Sequence, residues 1–590
     1  MPERVRLLLA LVYFVLLLLV GRLVQLQVFE HGKYATLAKG NHQRTETIPA
    51  PRGRIFDRNG TPIAANRIAV DLYYRGGPVR FASRILTILG LERLPEVPEG
   101  EEEVVLAANL PDAWVPTLAE LTAGQPNLRL EERIERYYPN PIAGPVIGYV
   151  QGPTAADLKR GYERGDLVGR AGLEAALEET LRGRRGLKLV EVDVRGEVLR
   201  EQVLAPPVPG RDVRLTLDLN LQRAAERALA EALADLNAGR KKLGLPPETV
   251  ARGAIVAVDP TTGEVLAMAT APAYDPNLFT RRPTPASEIR ALQNDPALPL
   301  LNRAVQAYTP GSTFKPVTAS ALLEAGLVSP ATTFRCLPSI RFGGQTRRNW
   351  SPRDMGPMKV TDALAYSCNT WFYQAVIEAG PVETVEVIAD RARALGLGAP
   401  TGLEIAEKRG LVPDKAWKRE RFGEPWYPGE TLSVAIGQGP VLVTPAQLAR
   451  AYAALYTGRL PELHLVEREV EAQRVPGRFF GVLRRGLRKT VTEGTARSRM
   501  EGFPVPTAGK TGTAETPGKR AGYEHAWYAG FGPWPPDGEH RPLVAVAFVE
   551  NGGEGSRAAL PVVKRIMAAF WGITGADARP GNPQGAGRSP

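Results

Sequence analysis

The chain has 590 residues, of which 44% are hydrophobic and 23% charged, and a formal net charge of +11; this length exceeds one core and predicts about two to four domains. Its make-up is that of an ordinary folded protein, and with Cys336 and Cys368 its only cysteines any disulfide framework is at most one bridge, so packed cores must hold the fold. The basic runs Arg240-Lys241-Lys242 and Arg484 to Lys489 carry no interleaved aromatics, so the charge reads as a solvated surface facing anionic lipid or polymer and disfavours nucleic acid.

Leu7 to Gly21 is an uncharged, mostly aliphatic stretch bracketed by Arg6 and Arg22. With both arginines snorkelling, Val5 to Val24 reaches the roughly 20 residues that a span requires. Gly21 leads straight into Arg-Leu-Val-Gln-Leu with no small-x-small cleavage site, so residues 1–24 read as a short cytoplasmic tail and an uncleaved signal anchor. Arg4 and Arg6 keep that tail inside, which predicts a single-pass protein with its bulk outside the cell membrane.

Residues 25–210 are predicted to form a β-rich pedestal. Arg54-Ile-Phe-Asp-Arg-Asn-Gly60 reads as a strand entering an Asn-Gly turn, and Lys188 to Val194 alternates as a half-buried strand. Between them, roughly 68–165, lies a compositionally distinct head module with an acidic run at Glu99 to Glu103. The Pro-rich Leu204 to Gly210 looks like a linker. Residues 211–572 are expected to be mixed α/β: a helix from Leu219 to Leu233, a hairpin of Gly253–Asp259 and Glu264–Ala269, an apolar strand Leu543–Val549, and a helix over Ala558 to Phe570. The Gly/Pro/Ala-rich end, residues 573–590, reads as a disordered tail.

The chemistry is carried by three triplets, each present once and in a fixed order: Ser312-Thr-Phe-Lys315, Ser367-Cys-Asn369 and Lys510-Thr-Gly512. Any one is expected by chance; together they are what an active-site serine enzyme of the penicillin-recognising kind requires. A serine hydroxyl needs a base, and residues i and i+3 share a helix face, so Lys315 would lie one turn from Ser312 on a helix over Thr313 to Glu324. Pro316 is tolerable there because it falls in the first turn. For Lys315 to be a base it must be neutral, which burial or a neighbouring cation would favour. Ser367 and Asn369, on a loop or helix edge, offer a proton relay and an amide for the substrate's peptide carbonyl. Lys510, with the hydroxyls of Thr511 and Thr513 on a strand opened by Gly512, makes a donor-rich cradle for a carboxylate. There is no G-x-S-x-G and no histidine in a recognisable triad context, which disfavours a Ser-His-Asp hydrolase; no Cys/His cluster has metal-ligand spacing.

These residues resemble the class B penicillin-binding proteins, monofunctional peptidoglycan D,D-transpeptidases. Pro51 to Gly60 resembles the start of that family's pedestal, and Gly172-Leu-Glu174 with Leu181-Arg-Gly183 its second pedestal motif. Pro310 to Pro316, Ala435 to Gly439 and Lys510 to Glu515 continue the match. Pro425 to Gly429 and Val549 to Gly552 are most similar to the elongation type, penicillin-binding protein 2. The resemblance implies a penicillin-binding/β-lactamase-like fold for the catalytic domain, with an antiparallel sheet and helices. It makes Ser312 the acylated nucleophile and Lys315 its general base, and puts the oxyanion hole at the backbone N–H groups of Ser312 and Thr513. The implied substrates are peptidoglycan stem peptides ending in D-Ala-D-Ala, with β-lactams trapping the serine. Some elongation-type members carry zinc near the second motif; Cys336 matches a ligand, but Phe342 to Lys359 adds neither histidine nor cysteine, so no cofactor is expected. The implied partners are a SEDS-family, RodA-like glycosyltransferase and other elongation-complex proteins. Arg52, Arg54 and Glu174, in the two pedestal motifs, are the expected partner-binding residues; a rigid spacer is the plainer alternative.

Three other functions use related sequences. A D,D-carboxypeptidase or β-lactamase would pass the acyl group to water, but the long N-terminal module, the span and the missing E-x-x-L-N signature argue against it. A β-lactam sensor would need several spans and a cytoplasmic effector. A non-catalytic assembly scaffold would not need three intact triplets.

Overall fold

The structure, a computed structural model, describes residues 3–30, 32, 43–100, 102–163, 165–192, 198–242, 251–282, 284–515 and 523–574. The expected disordered tail from Gly575, the last two residues of the strand expected at Lys188 to Val194, and Glu101 of the acidic run lie outside the described residues. A helix spans Glu3–Val24 and runs into a π-helical turn, Gln25–Phe29. Its stretch Leu7–Phe29 has no residue buried against the rest of the chain, and it is the one described helix long and apolar enough to cross a membrane.

The C-terminal half is built on a five-stranded antiparallel sheet in the order Val265–Ala271, Arg252–Val258, Leu543–Glu550, His525–Gly532, Ala508–Ala514. Its central strands are apolar on both faces over most of their length because both faces are covered. Ala254, Val256, Val546 and Phe548 point into a core shared with the helices Lys315–Glu324 and Pro445–Thr457. Their alternates Ile255, Ala257, Ala545 and Ala547 point to the helices Leu219–Lys242 and Leu560–Phe570. Side chains alternate with period two along a strand, so one apolar run serves two cores. The expected hairpin and C-terminal strand are present, and the first helix continues nine residues past the expected Leu233, to Lys242.

The pedestal carries a three-stranded sheet, Gln43–Ile48, Gly186–Val192 and Val198–Ala205. The expected strand-turn is a hairpin of Ile55–Phe56 and Pro62–Tyr74. That second strand has 13 residues and joins two cores. Ile63 and Ala64 belong to the main core, whereas Leu72 and Tyr74 pack in a separate head core with Ile85, Leu118, Leu121 and Leu128. Of the acidic run, Glu103 is spent on Arg75 and Arg129.

Two sequence expectations change here. Leu204 to Gly210 is not a free linker: Leu204 and Ala205 end a strand, Val208 and Arg184 exchange backbone hydrogen bonds of 2.8 Å, and Gly210 N donates to Pro51 O at 2.9 Å. A Cβ at Gly210 would sit 1.9 Å from Leu181 O, so this glycine serves close packing. Arg52 and Glu174 are not surface contacts for a partner either. Glu174 is fully buried, 3.0 Å from Arg52 Nη2 and 2.7 Å from Arg136 Nε, and Arg52 also reaches Glu178 at 2.8 Å. Burial alone would raise the Glu174 pKa, but the Arg136 and Arg52 charges outweigh it and hold the carboxylate ionised. Only Arg54 of the three is exposed, paired with Asp212 at 2.7 Å.

Candidate active site

Residues 310–315 are drawn tightly together with the sheet edge. Gly311–Phe314 forms a 3₁₀ turn, and the α-helix starts at Lys315, two residues later than expected. That helix is buried almost all round, so packing rather than amphipathicity fixes it. Ser312 alone among residues 311–323 is not buried. Gly311 has φ +54, and a Cβ there would lie 2.7 Å from Thr513 O; a Cβ on Gly512 would lie 2.9 Å from Thr313 Cγ2. Two glycines therefore let the serine turn and the Lys510–Thr513 strand touch backbone to backbone. Trp527 Nε1 donates to Thr309 O at 2.9 Å and Tyr452 OH to Thr313 O at 3.0 Å, which fixes the turn from below.

Lys315 joins the first triplet to the second. Its Nζ lies 2.7 Å from Ser367 O and 2.7 Å from Asn369 Oδ1, the two acceptors that a neutral amine's hydrogens can serve, and 3.2 Å from Ser367 Oγ. Ser367 bridges the helices Val360–Ala365 and Asn369–Ala379 with φ +56, a left-handed conformation that a non-glycine residue adopts at a cost. Such strain persists where the surroundings over-determine it, and here three oxygens of Ser367 and Asn369 gather around one amine.

Both lysines are fully buried. Burial, and secondarily the Lys510 charge, hold the Lys315 amine well below its ordinary 10.5. Burial also lowers Lys510, to about 7. The Lys510 charge acts on Lys315, whereas burial alone lowers Lys510, so the site favours a neutral Lys315 beside a cationic Lys510. Lys510 Nζ donates to Thr511 O at 3.0 Å, and the strand exposes Thr513 to solvent beside the serine turn.

Sequence reasoning missed several supports. Thr495 Oγ1 lies 2.6 Å from Thr511 Oγ1, held from another element altogether. Cys336 and Cys368, the middle residue of the second triplet, form a disulfide with Cα atoms 6.1 Å apart. Asn349 Oδ1 accepts from Asn369 N at 2.9 Å, and Trp350 Nε1 donates to Tyr366 O at 2.9 Å. The single-bridge limit was readable from composition; these pairings join positions about 16 to 32 residues apart, with no local signal. The donor set does not fit a zinc ion. Both sulfurs are tied to each other, and among the described residues no group of three His, Cys, Asp or Glu side chains is placed to hold a metal.

Residues 253–568 match the penicillin binding protein transpeptidase domain, and residues 47–215 the penicillin-binding protein dimerisation domain. The chain belongs to the penicillin-binding protein transpeptidase family. It is 30% identical to the peptidoglycan D,D-transpeptidase MrdA of Escherichia coli K12, over 93% of this chain and 90% of that one. The MrdA of Acinetobacter baumannii is 31% identical, over 93% and 84%. Among solved structures, a chain from "Structural coordination of polymerization and crosslinking by a peptidoglycan synthase complex" is 61% identical with a TM-score of 0.83, covering 97% of this chain and 99% of that one. Penicillin-binding protein 2 in complex with MreC from Helicobacter pylori is 27% identical with a TM-score of 0.71, over 87% and 96%. The mixed α/β architecture, with an N-terminal apolar helix, a dimerisation-type pedestal and a transpeptidase domain, is that of these relatives.

Proposed function

We infer that the protein is a serine-type peptidoglycan D,D-transpeptidase that cross-links stem peptides during cell-wall elongation. The observation that carries this reading is the buried Lys315 amine, hydrogen-bonded to Ser367 and Asn369 one turn after the solvent-reached Ser312. Neutral Lys315 takes the Ser312 proton while Oγ attacks the carbonyl carbon of the penultimate D-Ala. The backbone N–H groups of Ser312 and Thr513 hold the oxyanion. Ser367 relays a proton to the departing amine, terminal D-Ala leaves, and the acyl-serine remains. Asn369 binds the donor's peptide carbonyl; Lys510, Thr511 and Thr513 bind its carboxylate, with Gly512 allowing the close approach. An amine from a neighbouring stem then attacks the acyl-serine, forms the new peptide bond and releases Ser312.

Residues 1–24 anchor the chain in the cell membrane, with 25–210 as pedestal, about 68–165 as its head, and 211–572 as catalytic domain outside the cytoplasm. The Cys336–Cys368 bridge supports that orientation, because disulfides persist mainly in oxidising compartments. The pedestal serves a SEDS-family, RodA-like glycosyltransferase, a reading supported by the likeness to a chain of a peptidoglycan synthase complex. Fluorescent-penicillin labelling tests the centre of the proposal. Ser312→Ala abolishes labelling and Lys315→Ala lowers its rate by several orders of magnitude; a Ser312→Ala protein that still labels overturns the assignment.

A further inference from the structure

A cationic flap borders the second triplet, and nothing in the donor chemistry uses it. Residues 339–353 contain Arg341, Arg347, Arg348 and Arg353 and no acid. The strands Ser339–Phe342 and Gln345–Arg348 pair with Arg341 opposite Thr346 and Ser339 opposite Arg348. Directly opposed residues share a face, so Arg341 and Arg348 are diagonal neighbours on one side of this hairpin. The other side is spent inward: Ile340 and Phe342 pack on the main core, and Arg347 donates to Gly429 O at 3.2 Å and Ser433 Oγ at 3.4 Å. Arg341 and Arg348 are exposed and make no ion pair with any described residue.

The flap is tied to the second triplet. Arg348 O accepts from Asn369 Nδ2 at 3.4 Å, Asn349 holds Asn369 N, and the Cys336–Cys368 bridge staples the base of the flap to the triplet itself. Trp350 is 58% exposed, yet its indole N–H is fixed on the carbonyl of Tyr366, next to Ser367. An exposed aromatic ring held in one orientation is a contact surface that loses little entropy when a ligand covers it.

We propose that Trp350, Arg341 and Arg348 form the binding surface for the acceptor strand, a peptide that bears free carboxylates near its attacking amine. The inference rests on the transpeptidase reading above. The donor carboxylate already has Lys510 and the Thr511 and Thr513 hydroxyls, so a second, unpaired arginine face beside Ser367 and Asn369 matches the charge of the other substrate. Guanidinium groups suit carboxylates in geometry as well as charge, and Trp350 packs against the strand's apolar atoms.

The test separates the two half-reactions in the full-length protein. Penicillin acylation reports the donor half and the underlying reading; the ratio of transfer to hydrolysis, with a thioester donor and added amine, reports the acceptor half. Two acceptors are compared: an acidic peptide and its fully amidated analogue. The Arg341→Glu/Arg348→Glu variant should acylate with penicillin within about twofold of the unmodified chain and lose about tenfold or more of its transfer to the acidic peptide, the range expected for lost charge-assisted contacts. Transfer to the amidated peptide should hold. Trp350→Ala should raise the KM for both acceptors, and Trp350→Phe should restore most of it. An unchanged acidic-to-amidated preference in the arginine variant overturns the proposal. So does an equal loss for both acceptors, or a loss that tracks acylation. A chain that penicillin never acylates would instead remove the transpeptidase reading itself.

Discussion

The proposed mechanism needs opposite charges on Lys315 and Lys510, although burial lowers the pKa of both. Lys315 must be neutral to accept a proton, so acylation switches on as pH rises through its depressed pKa. Lys510 must be cationic to hold a carboxylate, so binding is lost as pH rises through about 7. The second-order rate constant for acylation should therefore be bell-shaped, with its alkaline limb near neutrality rather than near the ordinary lysine range. At saturation the bound carboxylate raises the Lys510 pKa, so the limb for the limiting rate should move to higher pH. Stopped-flow acylation across pH measures both; an alkaline limb at the same pH in the two profiles would remove Lys510 from the carboxylate site. Burial also decides the pedestal. Glu174→Gln leaves Arg52 and Arg136 facing a neutral amide inside the protein, and breaking such a buried pair costs about 3–5 kcal/mol. A denaturant midpoint that hardly moves would mean the network is solvated. The three triplets were legible because each is local in the chain. The burial of Arg52 and Glu174 was not legible, because a charged residue in a turn motif looks the same in sequence whether it meets a partner or a buried counter-ion.

At the scale of elements, strands read well wherever one run of residues answers to one environment. The run from Leu543 to Val549 is apolar throughout because two cores cover it, and Ile55–Phe56 turns back at Asn59-Gly60 as that dipeptide demands. The failures share a cause. The segment from Leu204 to Gly210 carries the Pro and Gly of a loose connector, but here Gly210 is required by a carbonyl at 1.9 Å from its would-be Cβ. The flap at 336–358 was silent because its partners, Tyr366 and Asn369, lie on another element. Its disulfide closes a 32-residue separation, and removing a bridge of that loop length costs about 2–4 kcal/mol. The Cys336→Ser/Cys368→Ser double variant should lose that much stability in urea, and should also acylate more slowly because Ser367 and Asn369 lose their tether. Slower acylation with unchanged stability, or the reverse, would separate the tether from the fold; neither change would show that hydrogen bonds alone hold the flap.

Across the whole molecule, the pedestal and the catalytic half are continuous rather than hinged. Ile55, Ile63, Leu173 and Leu181 of the first lie in one core with Val256, Val258 and Phe314 of the second. A displacement imposed on the pedestal therefore reaches the second part through this shared core, since close-packed interiors transmit strain. That is the physical basis for expecting the pedestal to couple a glycan polymerase to cross-linking. Arg54 is the residue on which to test it. It sits at the junction, hydrogen-bonded to Asp212 just before the strand Val213–Arg214, and both partners are substantially exposed. An exposed pair contributes about 1 kcal/mol at most to stability, so Arg54→Glu perturbs the surface without the collapse expected of Glu174. In a complex co-purified with a SEDS-family polymerase, Arg54→Glu should lower glycan polymerisation severalfold, with penicillin labelling and melting temperature serving as controls for the active site and the fold. Polymerisation that stays at the unmodified level, together with undiminished co-purification, would reduce the pedestal to a spacer that holds Ser312 at a set height above the membrane.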